Sequence, residues 1–312
     1  MKTFIQVSEI WVPSRNRTVL EFQGGLYGPY KPLRMASERM CFGYDEGLPG
    51  KAWAARHPIL LKDWQQPYFR RAEAMREAGL TCGVALPIFA GDYLLAVVVM
   101  FCGNDADSVG AIELWHNDPA LSYDMRLEEG YYGNAVHFEY VSRRTQFRPG
   151  FGLPGMVWET GMPAIVDNLW NAERFLRKDD ARKAGLSNGL GIPVSGEAGQ
   201  NYVMAFLSAM GTPIARRFEV WIPEENRAAL IFNAGHCDHA PGFALDYAST
   251  RLYPGDSPIS RAWMLGIPEI CESVAEDSSA IGASARKARL QTMLALPVLE
   301  NGRLKAVVAF YF

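Results

Sequence analysis

The chain has 312 residues, 49% of them hydrophobic and 21% charged, enough apolar side chains for more than one buried core. Its 31 Lys and Arg against 34 Asp and Glu leave a net charge of −3, too balanced to hold nucleic acid or an anionic membrane by field alone. The strongest apolar run, Leu94–Phe101, is about half of the ~18 residues a membrane-spanning helix needs.

Glu9-Ile10-Trp11 opens a first strand, and Thr18–Phe22 reads as its hairpin partner across the turn formers Pro13-Ser14-Arg15-Asn16. A loop rich in Gly and Pro follows, then a short helix that begins near Gly50 and carries Trp53 on its buried side. Pro58 ends that helix and starts the strand Ile59–Leu61. The next helix spans Tyr68–Ala78, with Phe69, Ala72 and Met75 at helical spacing, Arg70, Arg71 and Glu73 outside, and Gly79 as its stop. Two strands close the series, one through Ala85-Leu86-Pro87 and one over Leu94–Phe101, joined by the turn Ala90-Gly91-Asp92.

The same string then occurs twice more. Trp53, Trp158 and Trp263 are spaced 105 residues apart, as are Pro58, Pro163 and Pro268. Glu113-Leu114-Trp115 and Glu219-Val220-Trp221 repeat the opening triplet, with second strands expected at Leu121–Met125 and Ala228–Phe232. Gly191-Ile192-Pro193 and Ala295-Leu296-Pro297 repeat the closing signature, with final turns at 196–199 and 300–302. Landmarks kept in order at nearly constant spacing define three copies of one unit. Each is expected to be α+β, an antiparallel sheet of about five strands with helices packed on it. Boundaries are expected at 1–106, 107–212 and 213–312. Connections this short also allow a shared sheet, in which the last strand of one copy pairs with the hairpin of the next.

Gly47-Leu48-Pro49-Gly50-x-x-Trp53, a proline strand, a helix ending Ala78-Gly79-Leu80, and a β-branched closing strand resemble the GAF domain. Gly152–Leu207 repeats that match, and Ser257–Phe310 follows it in degenerate form. Arg71 and Arg177 stand where such domains commonly carry a basic residue. The resemblance implies a non-catalytic module that senses an unidentified small molecule and signals through a separate protein partner, with self-association left open; the scattered cysteines imply a reduced, cytoplasmic setting. The alternative is a structural or protein-interaction module without a ligand. The long flanking helices usual in GAF signalling proteins have no room between copies.

The chemistry-bearing residues each have a plainer role open to them. Five scattered cysteines, odd in number and without C-x-x-C, encode neither a disulfide framework nor a structural zinc site, and the opening residues lack a signal peptide's apolar stretch. Cys41, Cys82 and Cys102 allow a GAF reductase of free methionine sulfoxide, but the latter two sit in apolar strands and read as structural. Gly235-His236-Cys237-Asp238-His239 has the letters of a bilin or metal site, yet follows a hairpin rather than the ligand helix and reads as a polar loop. Phe175–Asp180 resembles part of a cyclic-nucleotide motif in the wrong place. No catalytic residue, metal ligand or cofactor is assigned. The candidate ligand-binding residues are Asp63, Trp64, Tyr68 and Phe69 in copy one and Asn168, Trp170 and Phe175 in copy two, an aromatic wall beside polar groups. Copy three has the acidic, small-residue stretch Glu272–Ser284 there and is expected to cap or dock rather than bind.

Overall fold

The computed structural model describes residues 3–103, 109–194, 196, 199–209, 211–300 and 302–312. The expected boundary near 106 lies outside the described residues, as do 197, 198 and 301 of the expected turns. The chain forms two compact units, residues 1–214 and 215–312.

In the first repeat the chain runs β1 (Ile5–Pro13), β2 (Val19–Leu26), α1 (Lys31–Ser37), β3 (Cys41–Gly43), α2 (Gly47–Ala55), β4 (Ile59–Leu61), α3 (Ala72–Glu77), β5 (Leu80–Ala90) and β6 (Tyr93–Gly103). The strands form one antiparallel sheet in the order β3-β2-β1-β6-β5-β4. The second repeat follows the same plan with β7 (Gly110–Asn117), β8 (Met125–Tyr131), α4 (Val136–Ser142), β9 (Gln146–Phe147), α5 (Gly152–Thr160), β10 (Ala164–Val166), α6 (Lys178–Lys183), β11 (Leu186–Val194) and β12 (Asn201–Ala209).

In the unit 215–312 the elements are β13 (Arg217–Pro223), β14 (Leu230–His236), a 3-10 turn at Phe243–Tyr247, β15 (Arg251–Leu252), α7 (Pro258–Leu265), β16 (Glu269–Cys271), a 3-10 turn at Val274–Glu276, α8 (Ala280–Lys287), β17 (Met293–Glu300) and β18 (Arg303–Tyr311). Three six-stranded sheets of one order result, so each repeat is α+β as expected, with one strand more than the pattern suggested.

Each sheet is closed within its own repeat. Glu9 on the first strand faces Val99 on the last, Glu113 faces Ala205, and Glu219 faces Ala309. The shared-sheet alternative therefore does not occur among the described residues. Within the first unit the two repeats meet through side chains instead. Lys62 Nζ lies 2.7 Å from Glu129 Oε1, and Tyr202 stacks between His57 and His116 at 4.9 and 4.4 Å.

Two expectations shift locally. Leu121 and Tyr123 are exposed in a turn in which the Asp118 carboxylate accepts the Ala120 N–H, so the second strand of repeat two starts only at Met125. The expected loop before the tryptophan helix holds a short helix and an edge strand, α1 and β3 in repeat one. Helix α2 starts at Gly47, which has φ +60° with the Phe42 ring directly beneath, and a Cβ on Gly50 would lie 2.2 Å from the Gly43 carbonyl oxygen. Only glycine fits such an approach. Repeat three replaces both glycines by Ser257 and Ser260, which form a reciprocal capping box at the start of α7.

Candidate functional site

The Glu-x-Trp triplet lies on the helix-covered face of each first strand. In all three repeats the pairing of that strand with the second slips by one residue beside the tryptophan, between Ile10 and Trp11, Leu114 and Trp115, and Val220 and Trp221. Glu9 and Trp11 project to the same side, and Trp11 Nε1–H donates to Glu9 Oε2 at 2.9 Å.

A carboxylate at 0% exposure costs several kcal/mol unless it is paired, and here it is. Arg71 donates to both oxygens of Glu9, at 2.5 and 3.0 Å, while Tyr27 and Ser37 donate to Oε1 at 2.8 and 3.0 Å. Trp11, Phe42 and Phe101 put their rings within 6 Å of the guanidinium. Burial alone would push the Glu9 carboxyl up; the Arg71 charge and the donated bonds outweigh it and hold it below the usual carboxylate range. Arg71 is therefore inside the protein, not on the outer helix face. It is the residue before α3, with φ −109°, so the spacing of the helix does not govern where its side chain points.

Repeat two rebuilds the same cluster. Arg177 donates to both oxygens of Glu113 at 2.5 and 2.8 Å and also to the Ser142 hydroxyl, and Trp115 and Tyr132 donate at 2.9 and 3.0 Å. Burial opposes ionisation of Glu113, but Arg177 and the bonds again hold its carboxyl low.

Repeat three keeps the carboxylate and moves its cation. Arg217, two residues before Glu219 on β13, reaches Oε1 at 3.3 Å and donates to Ser284 Oγ at 2.9 Å. Trp221 and Tyr311 donate to Oε2 at 2.9 and 2.8 Å. Ile281 fills the place of Arg71, Cys237 that of Tyr27 and Tyr247 that of Ser37. With a single longer contact, burial prevails over Arg217, and the Glu219 carboxyl is raised.

The sequence-predicted residues lie at the edge of these cores. Trp64 is buried, stacked on Phe69 at 4.8 Å, and its Nε1–H donates to the Leu80 carbonyl at 2.7 Å. Trp170 is half-buried and donates likewise to the Leu186 carbonyl at 2.6 Å. Phe175 is buried with its ring 5.5 Å from the Arg177 guanidinium. Asp63 and Asn168 are exposed and hold local turns, accepting the N–H groups of Gln65 and Trp170 at 2.9 and 3.0 Å. Tyr68 is half-buried under the Lys51 ammonium, 5.1 Å from its ring. The structure thus brings Trp64 and Phe69 together and turns Asp63 and Asn168 outward.

A shallow recess of about 290 Å³ lies elsewhere in repeat two, lined by Val136 and His137 of α4 and Asp180 and Lys183 of α6. Cys82 and Cys102 face each other across β5 and β6, both buried, and burial pushes both thiols well up; Cys41 is exposed. No cluster of three or more His, Cys, Asp or Glu side chains able to hold a metal occurs among the described residues. No described helix is long and apolar enough to cross a membrane.

An antiparallel sheet curled around helices on one face, seen three times in one order, defines a chain of tandem α+β modules. Residues 219–312 match the family model of the GAF domain, and the two preceding repeats share the strand order of the repeat it matches. The match falls on the repeat that lacks the Gly-Leu-Pro-Gly string. No curated protein sequence matches the chain. Among solved structures, a GAF domain from A. aeolicus in an inactive state is 18% identical, over 32% of this chain and 59% of that one, with a TM-score of 0.26. Free methionine-R-sulfoxide reductase from Neisseria meningitidis, in complex with its substrate, is 11% identical over 31% and 52%, with a TM-score of 0.25. The GAF domain of a phosphoenolpyruvate-protein phosphotransferase from Coxiella burnetii is 16% identical over 31% and 56%, with a TM-score of 0.26. This chain spans between half and three-fifths of the length of these three structures.

Proposed function

We propose that this chain is a non-catalytic, cytoplasmic regulatory module of the GAF type, that its repeats are bounded near residues 106 and 212, and that it acts through a separate protein partner. The observation that carries this reading is that the helix-covered interiors are occupied by the chain's own side chains. Glu9–Arg71 and Glu113–Arg177 take the polar centre, and the indoles of Trp64 and Trp170 are tied to the backbone beside it. Such an interior offers its surface, not its core, to a partner. The buried, proton-holding thiols of Cys82 and Cys102 favour a non-catalytic role, because sulfoxide reduction needs a thiolate within reach of its substrate.

A small-molecule reading keeps Asp63, Trp64, Tyr68, Phe69, Asn168, Trp170 and Phe175 as its pocket and requires both indoles to swing out. Native mass spectrometry of the freshly purified chain separates the two. We expect the bare mass; a stoichiometric small molecule released on denaturation would refute the closed interior.

A further inference from the structure

The three repeats act as internal controls for one another, and one surface differs. At the mouth of the tryptophan helix, repeat one is polar: Arg70 pairs with Glu46, and Lys51 pairs with Asp45 at 2.8 Å while covering the Tyr68 ring. Repeat three is polar there too, with Arg261 paired to Glu269 at 3.0 Å. Repeat two carries Phe151, Leu176 and Met156 where repeat one has Glu46, Arg70 and Lys51. Phe151 is 54% and Leu176 55% exposed, a large uncovered apolar pair. The Gly152 N–H donates to the Arg174 carbonyl at 2.8 Å, which ties the segments bearing them together. Arg174 itself replaces Tyr68, is exposed, and has no ion-pair partner among the described residues. An exposed arginine on the same two backbone-linked segments as an exposed apolar pair matches a carboxylate set between two large apolar side chains.

We propose that this face of repeat two is a docking site for a segment of a partner protein in which an acidic residue is flanked by bulky apolar ones. The proposal rests on the reading that the chain acts through a protein partner. That reading fails by a ligand retained in native mass spectrometry, whereas this surface fails by titration. The test uses the full chain and three labelled synthetic peptides: one with Glu between Phe and Leu, one with Lys in place of the Glu, and one with Ala in place of both apolar residues. In fluorescence anisotropy the Glu peptide binds at least about tenfold more tightly than either control, one decade in Kd. The double variant Phe151→Glu/Leu176→Arg installs the pair that repeat one already tolerates, and it weakens the Glu peptide at least about tenfold at unchanged thermal stability. Arg174→Glu weakens the Glu peptide and not the Lys peptide. Equal binding of the three peptides, or binding indifferent to the double variant, overturns the proposal. So does a wild-type dimer in sedimentation that becomes monomeric in the double variant, which would put a second copy on this face.

Discussion

Replacing Arg71 by Met tests whether the interior ion pair holds repeat one together. The change keeps most of the side-chain volume and removes the one cation bonded to Glu9 among the described residues, together with two charge-assisted bonds at 2.5 and 3.0 Å. Trp11, Tyr27 and Ser37 still donate to the carboxylate, but its charge is left uncompensated at 0% exposure. Removing one partner of a buried pair costs about 3–5 kcal/mol. Removing both, as Glu9→Gln/Arg71→Met, leaves no buried charge and costs less than the single change. Urea unfolding of the full chain measures the loss, and hydrogen exchange of β1 and β6 assigns the transition to repeat one. A loss under about 1 kcal/mol, the scale of an exposed ion pair, would refute the reasoning. So would a double variant less stable than Arg71→Met.

Acid titration should separate repeat three from the others. Glu219 has a raised carboxyl in the fold, so its contribution is fully present below the unfolded carboxyl range and is lost as pH rises through its folded value. Glu113, held low, contributes above the unfolded range and loses that contribution as pH falls through its folded value. Glu219→Gln should therefore gain on wild type in thermal melts as pH rises from about 4 to 7, and Glu113→Gln should lose ground; shifts of one sign in both would contradict this. Gly155→Ala would place a Cβ 2.1 Å from the Arg148 carbonyl oxygen, a backbone atom that cannot turn aside. It should cost more than about 2 kcal/mol in urea unfolding, and a neutral result would show that the start of α5 can shift. Under native conditions a thiol reagent should label Cys41 first, with Cys82, Cys102 and Cys237 reacting only on unfolding; early loss of Cys82 would reopen the reductase reading.

The repeat architecture was legible because its landmarks are steric. A tryptophan and a helix-ending proline cannot drift without breaking the turn they build, so their spacing survives in three copies, and that of the close-packed glycines in two. Strands β3, β9 and β15, of two or three residues, are too short to show a period and are held by pairing with a neighbour. The polar core was half legible. Glu9, Glu113 and Glu219 stood out inside apolar strands, and Arg71 and Arg177 as basic positions, but joining them spans 62 and 64 residues that no local pattern connects. Tyr27, Ser37, Tyr132 and Ser142 gave no signal of their own, since their roles depend on the carboxylate they surround.

Repeat three shows what the core requires. The carboxylate and its tryptophan keep their places, whereas the arginine changes from the residue preceding a helix to the first strand and the hydroxyl donors exchange positions. A cation supplied from either direction satisfies the same buried charge, so the chain has kept the pair and not the address of its positive half. Val7 stands in repeat one where Arg217 stands in repeat three, since Val7 faces Phe101 as Arg217 faces Tyr311. Ile at position 71 would copy Ile281. The variant Val7→Arg/Arg71→Ile should then recover at least about 1 kcal/mol of the stability that Arg71→Ile loses. The Glu9 carboxyl should at the same time move up toward the behaviour of Glu219, visible as a weaker loss of stability on acidification. A double variant no more stable than Arg71→Ile would mean that the strand position can host the cation only in the company of Tyr247 and Tyr311, and that the two networks are separate solutions and not one.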